Sequence, residues 1–189
     1  AGTFSMAVNG GGPLTFQYER SGYPTIQRTE DIPWQDYVVM PDVVMTPYDT
    51  NVTTITGVPA IQVHRATTSR DTDGTRTATL FFQQNTTCTF TGTSGVTQNL
   101  ATYNVRVTEF TVGRNGPNAM PGNLDPEVGY TYCSEFSVDE AVAAGTSKAT
   151  FSKPVLFYLE NYLSFPVGTS VPVGSYDLDS AGWIPDTNG

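Results

Sequence analysis

The fold is decided by Thr3-Phe4-Ser5-Met6-Ala7-Val8, a run in which large apolar side chains occupy every second position. The turn-forming stretch Asn9-Gly10-Gly11-Gly12-Pro13 follows, and Leu14-Thr15-Phe16-Gln17-Tyr18 then repeats the alternation. Successive side chains of a strand point to opposite faces, so a period of two places one apolar face against a core. These residues predict two strands joined by a turn, and Ser21-Gly22-Tyr23-Pro24 predicts the next break.

Similar short runs recur along the chain, most of them about 8–12 residues apart and bounded by turn residues, as in antiparallel sandwiches. Asp71-Thr72-Asp73-Gly74 separates two of them and is typical of a hairpin turn. We therefore predict an all-β fold of two antiparallel sandwiches. The further predicted strands cover 37–39 with 43–45, 60–66, 77–83, 88–91, 102–112, 129–136, 149–159 and 170–176.

One short helix is predicted over 138–144. Ser137 and Glu140 have the spacing of a capping box, and Gly145 can end the helix. A boundary is predicted near Thr46-Pro47-Tyr48-Asp49-Thr50, where strand signals lapse beside a proline. Residues 1–48 are few for an independent sandwich, so we expect the later part of one domain there, without its first strands, and a second sandwich over 49–189.

Composition excludes several classes of function. Charged residues make up 14% of the 189 residues, the net charge is −9, and the nine basic residues are spread along the chain. Phosphate neutralisation needs clustered Lys and Arg, so we expect no nucleic-acid partner. No apolar run approaches the roughly 20 residues of a membrane span. Abundant Thr, Val, Tyr and Phe favour strands.

Several motifs relate the chain to known families. Residues 3–45 resemble the second half of a carboxypeptidase-regulatory-like domain, a prealbumin-like sandwich, through Gly2-Thr3-Phe4-Ser5-Met6, Gly22-Tyr23-Pro24 and Asp42-Val43-Val44-Met45. The remainder resembles the segment before the YD repeats of large bacterial RHS proteins, and part of it is similar to a ZU-type β-sandwich. The stretches that carry this are Val105-Arg106-Val107-Thr108-Glu109-Phe110-Thr111-Val112-Gly113, Asn115-Gly116-Pro117-Asn118-Ala119-Met120-Pro121, Ser137-Val138-Asp139-Glu140-Ala141, Phe151-Ser152-Lys153-Pro154-Val155, Tyr158-Leu159-Glu160-Asn161-Tyr162-Leu163-Ser164-Phe165-Pro166-Val167-Gly168, Val171-Pro172-Val173-Gly174-Ser175-Tyr176-Asp177 and Gly182-Trp183-Ile184-Pro185.

Cys88 and Cys133 are the only cysteines and lie in strand-like runs. Two buried free thiols are one alternative, but we predict a disulfide, worth roughly 4 kcal/mol on the loop-entropy model. The resemblance supports this prediction, because the RHS-associated segments have small or apolar residues at both positions. A disulfide would indicate an oxidising, extracellular compartment.

Candidates for chemistry are few. His64, the only histidine, is a possible general base, but no Gly-x-Ser-x-Gly motif accompanies it. Two Asp-x-Asp turns are candidate calcium contacts, although the EF-hand pattern is lacking. A glycosidase would need two opposed carboxylates. Separately, the Asp125-Pro126 peptide bond is a candidate point of self-cleavage. The glycosidase candidates are Glu109, Glu135, Asp139 and Glu160, and the two Asp-x-Asp turns hold Asp71 with Asp73 and Asp177 with Asp179.

Aromatic residues and sequons complete the set. Seven aromatics are candidates for a carbohydrate-binding face, and two sequons become relevant in a host that glycosylates proteins. Alternating tyrosines are also routine in sandwich cores. The aromatics are Trp34, Trp183, Tyr23, Tyr37, Tyr158, Tyr162 and Tyr176, and the sequons are Asn51-Val52-Thr53 and Asn85-Thr86-Thr87.

We predict a non-enzymatic structural or assembly module of a secreted or cell-surface RHS/YD-repeat-type protein. It would have no catalytic residue, no cofactor and no metal ion. Its partners would be neighbouring domains of the parent protein or identical subunits. Residues 1–48 would either borrow a strand from a neighbouring subunit or pack against residues 49–189, and the second arrangement would leave a monomeric spacer. The alternative is a carbohydrate- or receptor-binding adhesin domain with surface glycans as partners, which a glycan array would distinguish.

Overall fold

The computed structural model describes residues 2–124 and 129–189. It begins with an antiparallel hairpin of β1 (Gly12–Tyr18) and β2 (Ile26–Ile32), in register from Gly12 opposite Ile32 to Tyr18 opposite Ile26. The predicted first strand, residues 3–8, forms no ladder, and the Phe4 ring contacts that of Tyr18 instead. The partner of β1 is β2, which contains charged residues and therefore lacks the alternation of apolar and polar side chains that predicts a strand.

Three three-stranded antiparallel sheets follow, in the orders β11-β10-β3, β13-β7-β4 and β12-β8-β9. Two hairpins accompany them, β5 with β6 and β14 with β15. The strands are β3 (Thr53–Ile55), β4 (Gln62–Arg65), β5 (Ser69–Asp71), β6 (Gly74–Arg76), β7 (Thr79–Phe82), β8 (Cys88–Thr91), β9 (Thr97–Leu100), β10 (Tyr103–Glu109), β11 (Ser134–Val138), β12 (Thr150–Phe151), β13 (Leu156–Tyr158), β14 (Val173–Asp177) and β15 (Gly182–Asp186).

The main core lies between these sheets. Phe82 from β7 packs against Tyr103 of β10 and Phe151 of β12, with ring centroids 6.3 and 5.6 Å away. Edge-to-face pairs of this kind add stability beyond the area they bury. The other buried members are Ile55, Ala66, Ala78, Leu80, Cys88, Phe90, Val105, Val107, Val138 and Ala141.

The predicted all-β class with one short α-helix is confirmed, but the strand assignments are uneven. β8 coincides with its predicted run, and β7 and β10 lie within theirs. Residues 37–39 and 43–45 form no strands, while β2, β3, β5, β6, β9 and β15 lie outside the predicted runs. β9 and β15 expose most of their side chains, so neither carries the alternating pattern of a half-buried strand.

The helix α1 (Asp139–Ala143) forms where expected, but the capping box is wrong. Ser137 belongs to β11, and its hydroxyl is buried without a partner among the described residues. The Glu140 carboxylate accepts from the Asn104 backbone N–H at 3.0 Å and from Asn104 Nδ2 at 2.8 Å, tying the helix to β10. Gly145 (φ +77°) follows the helix in the left-handed conformation expected of a terminating glycine. A 3-10 segment, Gly113–Ala119, is interrupted at Gly116.

The structure does not support the predicted disulfide, because Cys88 and Cys133 are separate free thiols. Cys88 packs with Tyr103 in the core, whereas the Cys133 carbonyl accepts from Phe110 N–H beyond the other end of β10. The seven-residue step from Tyr103 to Phe110 spans about 23 Å at the usual strand rise. A disulfide requires Cα atoms within about 7 Å.

Within 2–124 and 129–189, no helix is long and apolar enough to cross a membrane.

Candidate functional site

Arg28 joins the N-terminal hairpin to the rest of the chain. It lies on β2, is only 3% exposed, and its described hydrogen bonds go to backbone carbonyls rather than to a carboxylate. Nη1 donates to the carbonyl of Met120 at 3.0 Å, and Nη2 donates to those of Asn118 and Pro117 at 3.0 and 3.3 Å. Burial lowers the pKa of Arg28, while the nearby tyrosines Tyr18 and Tyr176 act in the opposite direction. One side chain thus binds three carbonyls of a single loop.

The same loop covers the outer edge of β2. The Gln27 backbone N–H donates to the Pro121 carbonyl at 2.7 Å. Asn123 completes the edge, because its Oδ1 accepts from Thr29 N–H at 2.9 Å and its Nδ2 donates to the Thr29 carbonyl at 3.1 Å. A side-chain amide here takes the place of a ladder partner. Segment 117–123 therefore satisfies hydrogen bonds along the outer edge of β2 as a third strand would, although the segment itself is not a strand.

The β14–β15 hairpin closes the junction from the other side. Tyr176 Oη donates to Gln27 Oε1 at 3.1 Å, and Trp183 Nε1 donates to the Asn123 carbonyl at 2.8 Å. The two rings pack edge to face, with centroids 5.2 Å apart. A Cβ on Gly122 would lie 2.0 Å from the Tyr176 ring, so only glycine fits beneath it. We call this contact between β2, segment 117–123 and β14–β15 the Arg28 junction.

The opposite edge of the hairpin has no third strand in the described part of the chain, and the Phe4 ring of the preceding arm packs against Tyr18. Among the described residues, β1 has a backbone ladder only with β2. Leu14, Phe16 and Tyr18 are half-buried, and Phe4 and Met6 of the preceding arm are 59% and 62% exposed. We call Phe4, Met6, Leu14, Phe16 and the edge of β1 the open face. An unpaired edge beside apolar side chains is a template for pairing with another strand.

A second buried arginine, Arg76, binds the last residue of β10, Glu109. Arg76, 1% exposed, donates to both oxygens of Asp71 at 2.9 and 2.8 Å and to Glu109 at 2.6 Å, under the ring of Tyr162. The Arg76 guanidinium holds the pKa of Asp71 well below its usual range. Because Asp71 and Arg76 belong to β5 and β6, these contacts fasten that hairpin to β10.

His64, the candidate general base, is fully buried on β4. Its Nδ1 lies 3.0 Å from Thr53 Oγ1, and its Nε2 has no hydrogen-bond partner among the described residues. Burial lowers the pKa of His64, and the Asp49 carboxylate opposes this. The side chain thus fastens β4 to β3.

Three of the four carboxylates considered for a glycosidase hold other parts of the chain. Glu109 binds Arg76, Asp139 accepts from Arg106 at 2.6 and 2.8 Å, and Glu160 accepts from Thr77 N–H at 2.6 Å. Burial raises the pKa of the fourth, Glu135, to about 7. The structure brings Glu109 and Glu135 to neighbouring strands, but the Glu109 carboxylate is committed to an internal cation.

The aspartates of the two Asp-x-Asp turns also bind other groups of the chain. Asp71 accepts from Asp73 N–H at 3.0 Å besides Arg76, and Lys148 Nζ lies 3.0 Å from Asp177 and 2.5 Å from Asp179. Over the described residues, no group of three or more His, Cys, Asp or Glu is arranged to hold a metal ion. Asp125-Pro126, the candidate cleavage point, lies outside the described residues.

The candidate carbohydrate-binding aromatics occupy separate surroundings. Trp183 and Tyr176 belong to the Arg28 junction, Tyr162 covers Arg76, and Arg20 lies over Tyr23 at 4.6 Å. Those four are used for packing. The exposed ones are Trp34, Tyr37 and Tyr158.

Sequence reasoning missed Arg28, Gln27 and Asn123, which build the junction. Their signal was weak, because Ile26–Ile32 contains both charges and amides in place of clean alternation. The motif Asn115-Gly116-Pro117-Asn118-Ala119-Met120-Pro121 stood out by resemblance, and it supplies the carbonyls that Arg28 binds.

Comparison with known proteins finds a family match for the N-terminal part of the chain. Residues 1–45 match the family model of the teneurin TTR-like domain. The match relates the chain at a coarse level to YD-repeat proteins and indicates a structural module of a large cell-surface protein in an extracellular context. No curated protein and no solved structure matches the chain.

Proposed function

We propose that the chain is a non-enzymatic structural and assembly module of a secreted or cell-surface protein of the RHS/YD-repeat type. Residues 1–48 form the later part of a prealbumin-like sandwich, and residues 49–189 form a second, ZU-type-like sandwich. The observation that carries the proposal is the asymmetry of the N-terminal hairpin. The outer edge of β2 is bonded to segment 117–123, whereas the edge of β1 is bonded to nothing among the described residues.

This asymmetry favours association by strand addition. The Arg28 junction fixes the hairpin, so the open face has one orientation relative to the sheets that follow. An incoming strand would gain backbone hydrogen bonds along β1 and cover Phe4 and Met6. Neighbouring domains of the parent protein and identical subunits both meet these requirements, and the isolated chain tests the second.

A non-enzymatic role is supported by how the reactive groups are used. His64 is buried against Thr53, and Glu109, Asp139 and Glu160 each bond another part of the chain. Catalytic acids and bases need access to a substrate proton within hydrogen-bond reach. The hydrogen bonds of these groups join strands and hairpins of the chain to one another.

Light scattering tests the proposal. The wild-type chain is expected to self-associate as its concentration rises, and Met6→Lys is expected to stay monomeric, because a charge on the open face opposes strand addition. Val167→Lys is the matched control, since Val167 is fully exposed in the loop before β14, away from the open face. A wild-type chain that remains monomeric at millimolar concentration would exclude self-assembly through β1.

A further inference from the structure

The two sequons have different surroundings. Asn51 and Val52 are exposed just before β3, and the Asn51 side chain makes no hydrogen bond among the described residues. Asn85 has a left-handed backbone (φ +56°), and its N–H donates to the Val58 carbonyl at 3.1 Å. With the oxygen and nitrogen of its side-chain amide exchanged, Asn85 Nδ2 also donates to the carbonyls of Gly57 and Val58, at 3.0 and 3.3 Å. A sugar would disturb these contacts at Asn85 and none at Asn51.

We propose that Asn51 is an N-glycan acceptor and that the folded protein carries an oligosaccharide there. The donor is a polyprenyl-diphosphate-linked oligosaccharide. Asn51 Nδ2 forms the bond to sugar C1, the C1–oxygen bond to the diphosphate breaks, and the amide loses one proton. The polyprenyl diphosphate leaves with the bonding electrons, so no oxidant or reductant is needed.

The fold accommodates this modification. The Asn51 N–H donates to Asp49 Oδ1 at 3.0 Å, so the turn is held by the backbone of Asn51, and its side-chain amide takes no part. β3 pairs with β10, and on its other side the Gln62 side chain of β4 bonds both the N–H and the carbonyl of Thr56. Asn51 is exposed two residues before β3, so a sugar attached there extends into solvent.

The structure also fixes the order of events. The transferase reads the hydroxyl of the sequon threonine, and Thr53 Oγ1 is bound to His64 Nδ1 at 3.0 Å in the folded chain. His64 is fully buried, so its bond to this hydroxyl must break before the transferase can use the hydroxyl. Transfer to Asn51 therefore precedes the folding of this part of the chain.

Intact-mass spectrometry tests the site. The chain is secreted from a human cell line as the Thr87→Ala variant, which removes the second sequon while keeping the Thr87 backbone bond to Ser152. We expect one N-glycan, removed by peptide-N-glycosidase, and none in the matched variant Asn51→Gln with Thr87→Ala. Both proteins should have the same melting temperature within about 1 °C, because surface substitutions away from special features are nearly neutral. An unmodified Thr87→Ala protein would overturn the proposal.

The order of events has its own measurement. The chain is produced without sugar in bacteria, purified folded, and incubated with membranes that contain the transferase and its lipid-linked donor. We expect no change in mass. Incorporation of a glycan at Asn51 of the folded chain would overturn the inferred order.

Discussion

Replacing Arg28 by alanine is expected to loosen the N-terminal hairpin. Arg28 makes three hydrogen bonds to the carbonyls of Pro117, Asn118 and Met120. Hydrogen bonds to a charged group contribute about 1.5–3 kcal/mol each, so three give roughly 5–9 kcal/mol. Burying a guanidinium without a carboxylate costs several kcal/mol of this. We therefore expect a net loss of about 3 kcal/mol, or roughly 6–12 °C in melting temperature for a chain of this size.

The assay combines thermal unfolding with hydrogen exchange. In Arg28→Ala, the amides of β2 should exchange faster, since Gln27 N–H depends on the position of the Pro121 carbonyl. The amides of β10 should change much less. Arg70→Ala is the matched control, because Arg70 is exposed on β5 and has no hydrogen bond among the described contacts. A loss below 0.5 kcal/mol in Arg28→Ala, or unchanged exchange in β2, would refute the reasoning.

Three further predictions follow from buried groups and turns. The folded-state pKa of His64 is lowered, so its contribution to stability is fully present above the unfolded pKa of about 6.5 and is lost as pH falls through the folded value. His64→Gln should therefore flatten the plot of unfolding free energy against pH in this range. Identical plots for the wild type and the variant would contradict this. Burial raises the pKa of Cys88 to about 11 and that of Cys133 to about 12, so a thiol reagent at pH 8 should find no reactive thiol in the native protein and two after denaturation; fewer than two after denaturation would contradict this. Calcium chelation should leave the melting temperature unchanged, because Asp71 and Asp177 already bind Arg76 and Lys148; a fall of several degrees would show a bound ion.

The all-β class could be predicted because it depends on local pattern. β8 and β10 carry alternating burial that matches the alternation of side chains in the sequence. β2 could not be found in this way, because Arg28 is buried through hydrogen bonds that sequence reasoning does not reveal. Ser137 failed as a helix cap for a similar reason, since the pairing of β11 with β10 overrides its local preference.

The candidate site was even less accessible from sequence. Arg28 lies about 90 positions from the carbonyls that it binds, and Asn123 replaces a strand partner with a side chain. Such contacts follow from the path of the chain rather than from any motif. The exposed Phe4 and Met6 were expected in a buried face, and their exposure on the open face became evident only from the fold.

Hydrogen exchange of β1 at increasing protein concentration tests the central claim most directly. In an isolated hairpin, the alternate β1 amides that face away from β2 have no partner and exchange quickly. If the open face accepts a strand, these amides should become protected as the concentration rises, while those of β10 stay unchanged. Fast exchange of the outward β1 amides at every concentration, with a monomeric mass throughout, would contradict assembly through the open face.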